Sequence, residues 1–237
     1  MSHAAGMPIA LRDLLDVIDQ PASAADLRLY FGLDHDKGSV PPFTGGRFEG
    51  LAGGGDRPET ANIIAADDVL AVQFLSVIIP GPVALALIEG PLGREMSAAL
   101  AQIPTNVSLG SPAAEALVTD DGPASRAWDL LDDVAGVGWV TAGKLMARKR
   151  PALVPVYDRV VRCALERPKG FWTWLDELLQ TADGALERRL LEARDEAGVP
   201  ETVTPLRVLD VIIWMRHRPT HVEGRCPRHG LPAGGSN

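Results

Sequence analysis

The sequence predicts an all-α, multi-helix protein, and three observations carry that prediction. Apolar residues recur at helical spacing along most of the chain, strand-like alternation is nearly absent, and short turns carrying Gly or Pro separate the periodic stretches. The 237 residues are 46% hydrophobic and 23% charged, which excludes a disordered or coiled-coil chain. Residues 1–217 are expected to form one mostly helical domain, with helices and a Gly-rich loop in 1–60 and a helical core in 61–217. Residues 218–237 turn polar and Gly/Pro-rich and are expected to form a flexible tail.

Each element follows from local pattern. Leu11, Leu14, Leu15 and Ile18 share one helical face, predicting a helix over 8–18, and a second short helix over 24–31 ends at Gly32. Residues 43–58 hold Thr44-Gly45-Gly46-Arg47 and Gly53-Gly54-Gly55-Asp56, a loop-forming composition. Residues 69–88 carry no formal charge, but Pro80-Gly81-Pro82 cuts them, so two buried helices joined by a tight turn are expected rather than a membrane span. Asp67 and Asp68 suit the positive N-terminal end of the first. Further helices are predicted over 94–103, 125–134, 139–149, 155–165, 171–181, 186–197 and 205–216. Phe171, Trp172 and Trp174 read as core-facing anchors.

Charge and cysteine usage narrow the function classes. The net charge is −8, which argues against a protein held to phosphates by its overall field. Residues 144–169 nevertheless hold eight basic residues against two acidic ones, predicting a locally positive face or a solvated helix surface. Two cysteines exclude a disulfide framework. His217, His221, Cys226 and His229 match no zinc spacing, so no metal site and no cofactor are expected. Residues 1–19 carry acidic residues where a secretory leader needs a basic region and an apolar run, so a cytoplasmic protein is expected.

One segment carries chemistry. Gly136-Val137-Gly138 lies between two predicted helices, where paired glycines let the chain reverse and bring bare backbone N–H groups to the start of the next helix. Such a helix start can cradle a phosphate oxygen, although an ordinary inter-helix turn has the same composition. Thr141-Ala142 follows, then Arg148-Lys149-Arg150-Pro151, then Val156-Tyr157-Asp158-Arg159-Val160-Val161-Arg162. Over about forty residues this string resembles the helix-hairpin-helix DNA glycosylase superfamily. It also resembles, over most of the chain, an uncharacterised domain family of unknown function, which imports no activity.

The glycosylase resemblance implies a DNA-glycosylase-like build with duplex DNA as partner. It implies backbone contacts at Gly136, Val137, Gly138 and Thr141, helped by Lys144, Arg148, Lys149 and Arg159, with Trp139 and Tyr157 stacking on a base. It further implies that Asp158 is the carboxylate beside the sugar of a flipped nucleotide. Val140 stands where lyases of that superfamily place a lysine, so the implied activity is monofunctional base excision. Their four-cysteine iron–sulfur loop is absent. Equally, Asp158 reads as the N-cap of the helix that follows it. Arg47 on its Gly-rich loop is a candidate contact for a phosphate or carboxylate. The alternative function is a non-enzymatic helical module that binds nucleic acid weakly or a protein partner.

Overall fold

Proline placement sets much of the helix order. A computed structural model describes residues 11–36, 39 and 41–222. Among them the chain is all-helical: α1 (Leu11–Ile18), α2 (Pro21–Phe31), α3 (Ala66–Gln73), α4 (Gly81–Ile88), α5 (Pro91–Leu100), α6 (Glu115–Val118), α7 (Pro123–Asp132), α8 (Gly138–Lys149), α9 (Arg159–Ala164), α10 (Phe171–Gln180), α11 (Ala185–Ala197) and α12 (Pro205–His217). Pro21, Pro91, Pro123 and Pro205 each open a helix, where the missing N–H costs nothing and the fixed φ is already helical. The expected helix start at 8–10 and the tail beyond residue 222, with Cys226 and His229, lie outside the described residues. No helix among the described residues is long and apolar enough to cross a membrane.

Two helices organise the interior. α8 buries residues on every side, with α7 and α3 against it. α12 is similarly enclosed by α1, α2, α9 and α11. One continuous hydrophobic cluster runs from Leu14 and Leu27 through Met96, Leu131 and Leu145 to Leu190 and Ile212.

Three predicted elements differ from what forms. The helix expected over 155–165 begins only at Arg159, because Asp158 caps it and the residues before it run through turn and extended backbone. The two helices expected inside 69–88 form as α3 and α4, but no tight turn joins them and α4 is not core. Leu87 is its only buried residue, while Leu85 and Ile88 face solvent. The loop over 43–58 contains two short 3-10 turns, Thr44–Arg47 and Leu51–Gly53.

The basic run at the end of α8 is not the positive face that the sequence suggested. Arg148, Lys149 and Arg150 are all buried. Arg148 Nε lies 3.0 Å and Lys149 Nζ 2.9 Å from the two carboxylate oxygens of fully buried Asp68 on α3. The remaining donors go to backbone oxygens, save that Arg150 also donates to the Asn62 side-chain oxygen at 2.6 Å. Arg148 donates to Phe48, Glu49 and Leu51, Lys149 to Thr60, and Arg150 to Ala61, Leu100 and Ile103. The physical cause lies in the loop. Irregular backbone over 43–62 leaves carbonyls without helix or sheet partners, and buried carbonyls must find donors. A guanidinium supplies five donors in a rigid fork and meets that need compactly. Burial lowers the Arg150 guanidinium to about 10, still charged at neutral pH.

Candidate functional site

A cavity of about 680 Å³ opens between α8 and α12, closed by the start of α9, the chain around Phe43–Gly45 and the 74–77 segment after α3. α12 presents Arg207, Asp210, Val211 and Trp214 to it, the one-face spacing of a helix. α8 contributes Gly138, Trp139, Val140, Thr141 and Lys144, beginning at the turn residue Val137.

The turn itself is built on left-handed backbone. Gly136 has φ 90° and Gly138 φ 66°, values costly for any residue with a Cβ. Both glycines are exposed, and no side chain caps the first turn of α8. Its leading amides therefore receive no side-chain cap, and Val137 and Gly138 line the cavity.

Asp158 does two things at once. Its Oδ1 accepts the backbone N–H groups of Val160 and Val161 at 2.9 and 3.0 Å, the capping geometry read from the sequence. Its Oδ2 lies 3.8 Å from Lys144 Nζ, and the side chain keeps 17% of its surface exposed to the cavity. Lys144 also donates to the Leu75 carbonyl at 2.7 Å. Burial lowers the Lys144 pKa, with Asp158 and Asp210 opposing that shift.

A second charged group forms the floor. Arg207 donates to Tyr30 Oη at 2.7 Å and to the Gly45 carbonyl at 3.1 Å, and it bonds the Asp210 carboxylate. Its Nε lies 2.6 Å from Glu49 Oε1, an ion pair whose angle is too poor for a hydrogen bond. Burial raises Asp210 to about 7 against the pull of Arg207, and it raises Tyr30 to about 12. Burial likewise raises Glu49. For Arg207, burial works against the charge, and Glu49, Tyr30 and Asp210 outweigh it.

The walls are aromatic. Tyr30 and Phe43 stack 5.4 Å apart at 13°, and Trp214 meets Phe43 edge-on at 5.7 Å. Phe74 and Trp139 complete the lining, and the Arg218 guanidinium sits 5.0 Å from the Trp214 ring centre at the rim.

The structure gathers some of the residues singled out by sequence and disperses others. Asp158, Val137, Gly138, Trp139, Thr141, Lys144 and Arg159 line one cavity, with Gly136 at its turn. Arg148 and Lys149 do not serve as phosphate contacts, because both are consumed inside the protein by Asp68 and loop carbonyls. Lys144 is also buried, so it acts within the cavity and not as a surface cation. Tyr157 stacks on Phe171 at 3.8 Å and lines a separate groove of about 540 Å³, which Trp139 shares. Arg47 is exposed and lies outside the cavity lining, although Thr44 and Gly45 belong to it. Sequence reading missed Arg207, Asp210 and Glu49. The available signal was Arg207 and Asp210 set among Leu206, Val208, Leu209, Val211 and Ile212, two charges in an apolar helix. The soft metal donors lie elsewhere, where Cys163 near the far end of α9 meets His217 and His221.

Residues 23–217 match the profile of a family described as "Family of unknown function (DUF6308)". No curated protein and no solved structure matches the chain.

Proposed function

We propose a function for a chain that belongs to the DUF6308 family: it binds nucleic acid through its glycine turn and cleaves the bond between a sugar and a flipped base. In this reading α7, the turn and α8 act as a helix-hairpin-helix, and the cavity receives the extruded nucleotide. A phosphate oxygen takes the amides at the α8 N-terminus, where the helix dipole favours an anion. The base enters between the aromatic walls, as unstacked bases do in pockets of this kind.

Asp158 then acts at the anomeric carbon. The C1′–N bond breaks, its electron pair leaves with the base, and the base takes up a proton from solvent, balanced when Asp158 later returns to solvent the proton it takes from the attacking water. The sugar passes through an oxocarbenium-like state that the Asp158 carboxylate stabilises. Water adds to C1′ and gives its proton to Asp158 Oδ2, the oxygen not occupied by backbone amides. Lys144 keeps that carboxylate paired until the substrate arrives. The observation that carries this reading is a shared hollow: Asp158 and the turn residues Val137 and Gly138 border the same cavity.

The test is base release from a panel of lesion-bearing duplexes, comparing wild type with Asp158→Asn. Release by wild type and its loss in the variant support the reading; no release from any substrate overturns the catalytic part. A gel shift across a salt series tests binding separately, since phosphate-driven affinity must fall as salt rises.

A second reading has an observation of its own. Ile78, Leu85 and Ile88 are exposed on and just before α4, and among the described residues five Lys and Arg are buried against three Asp, leaving a slightly more acidic surface than the sequence total suggests. Those features favour a non-enzymatic module with a protein partner. Nucleic acid that fails to bind at low salt, together with no base release, selects it.

A further inference from the structure

Three soft donors converge from separate parts of the chain. Cys163 stands in α9, His217 closes α12, and His221 follows the 3-10 turn Arg218–Thr220. The Cys163 sulfur and one ring nitrogen from each histidine all lie within 4.8 Å of one another. We infer that these three side chains form a zinc site that fastens α9 to α12.

The distances suit the ion. Zinc bonds of about 2.0–2.3 Å at a tetrahedral angle place neighbouring ligand atoms roughly 3.3–3.6 Å apart. From within 4.8 Å, small side-chain rotations bring the three into register. The two imidazole rings are 5.6 Å apart and tilted by 58°, so they are neither stacked nor turned flat against each other. The turn between them is fixed, with Thr220 Oγ1 donating to the His217 carbonyl at 3.1 Å and the His221 amide donating to Arg218 at 3.2 Å.

The donor chemistry narrows the metal to ions that take thiolate and imidazole, zinc and copper among them. One thiolate and two imidazoles suit zinc, whereas magnesium and calcium require oxygen ligands that this cluster does not offer. Within the four donors that together match no zinc pattern, the pair His217 and His221 does stand at a His-x-x-x-His spacing that zinc sites use. Sequence spacing alone gave no zinc pattern because Cys163 sits far upstream of the histidines. Folding α9 against α12 supplies the missing ligand.

The site is independent of the proposed reaction. It binds α9, whose first turn Asp158 caps, to the helix that carries Arg207, Asp210 and Trp214. Three protein ligands leave the fourth position to water or another donor.

The test uses the full chain, stripped with a chelator and reloaded with Zn²⁺ or Co²⁺. Expected results are one zinc per chain by elemental analysis and a thiolate-to-cobalt charge-transfer band with Co²⁺. Cys163→Ser abolishes that band, and Cys163→Ser and His221→Ala each weaken zinc binding at least ~10-fold. His221 is only partly buried, so its variant carries the test if Cys163→Ser misfolds; circular dichroism checks both. Wild type holding no stoichiometric zinc, or both variants binding as wild type does, overturns the site. Binding lost only on Cys226→Ser overturns it too.

Discussion

Asp158 Oδ2 stands 3.8 Å from Lys144 Nζ across the floor of the cavity, while Asp158 Oδ1 is held by two amides of α9. The two oxygens of one carboxylate therefore have separate tasks. One fixes the helix, and through it the direction in which the other points. A substitution at Asp158 must be judged on both counts.

Asp158→Asn keeps a good N-cap residue and removes the charge. Urea unfolding is expected to shift by less than ~1 kcal/mol, while base release falls by about 10²–10⁴. Asp158→Ala loses the cap as well and is expected to cost roughly a further 1 kcal/mol. Equal catalytic and stability losses in both variants would assign the residue to capping alone.

Arg148→Ala leaves Asp68 and three loop carbonyls without their fork of donors. Denaturant unfolding is expected to show a loss of about 3–5 kcal/mol, as when one partner of a buried pair is removed. Lys169→Ala, on an exposed residue of the same basic stretch, is expected to change stability by less than ~0.5 kcal/mol. A mild Arg148→Ala phenotype would return that residue to the surface.

Asp210 gives stability a pH signature. Burial raises its pKa from 3.8 to about 7, so the folded state holds a proton that the unfolded chain releases. The contribution is complete below about 4 and is lost as pH rises through about 7. Unfolding curves measured across that window should show wild-type stability falling relative to Asp210→Asn. Parallel curves would contradict the assignment.

Gly138→Ala probes the turn. A Cβ there meets open space, so the cost comes from the positive φ alone, about 1–2 kcal/mol by thermal unfolding. If the turn holds a phosphate, the same variant weakens duplex binding in a gel shift by more than its stability loss explains. Unchanged affinity would separate the turn from nucleic acid.

Sequence periodicity revealed the helices because amphipathic spacing is a local property, but it placed the starts of α2, α5 and α7 two or three residues after the prolines that open them. α7, α8, α11 and α12 each begin within two residues of their predicted starts. Asp158 was legible as a cap for the same reason, since capping involves residues two and three positions away. The fate of Arg148 and Lys149 was not legible. Their partners lie 80 or more positions upstream, and a run of cations looks alike whether it meets water or carbonyl oxygens. The Arg207–Glu49–Tyr30 group was hidden by the same long range.

The fork that Arg148 and Arg150 extend into residues 48–62 gives an aperiodic stretch the standing of a core element. Shortening or redesigning that stretch would strand positive charge in a dry interior, so it should resist proteolysis and insertion as a helix does, and loosen only when the whole molecule opens.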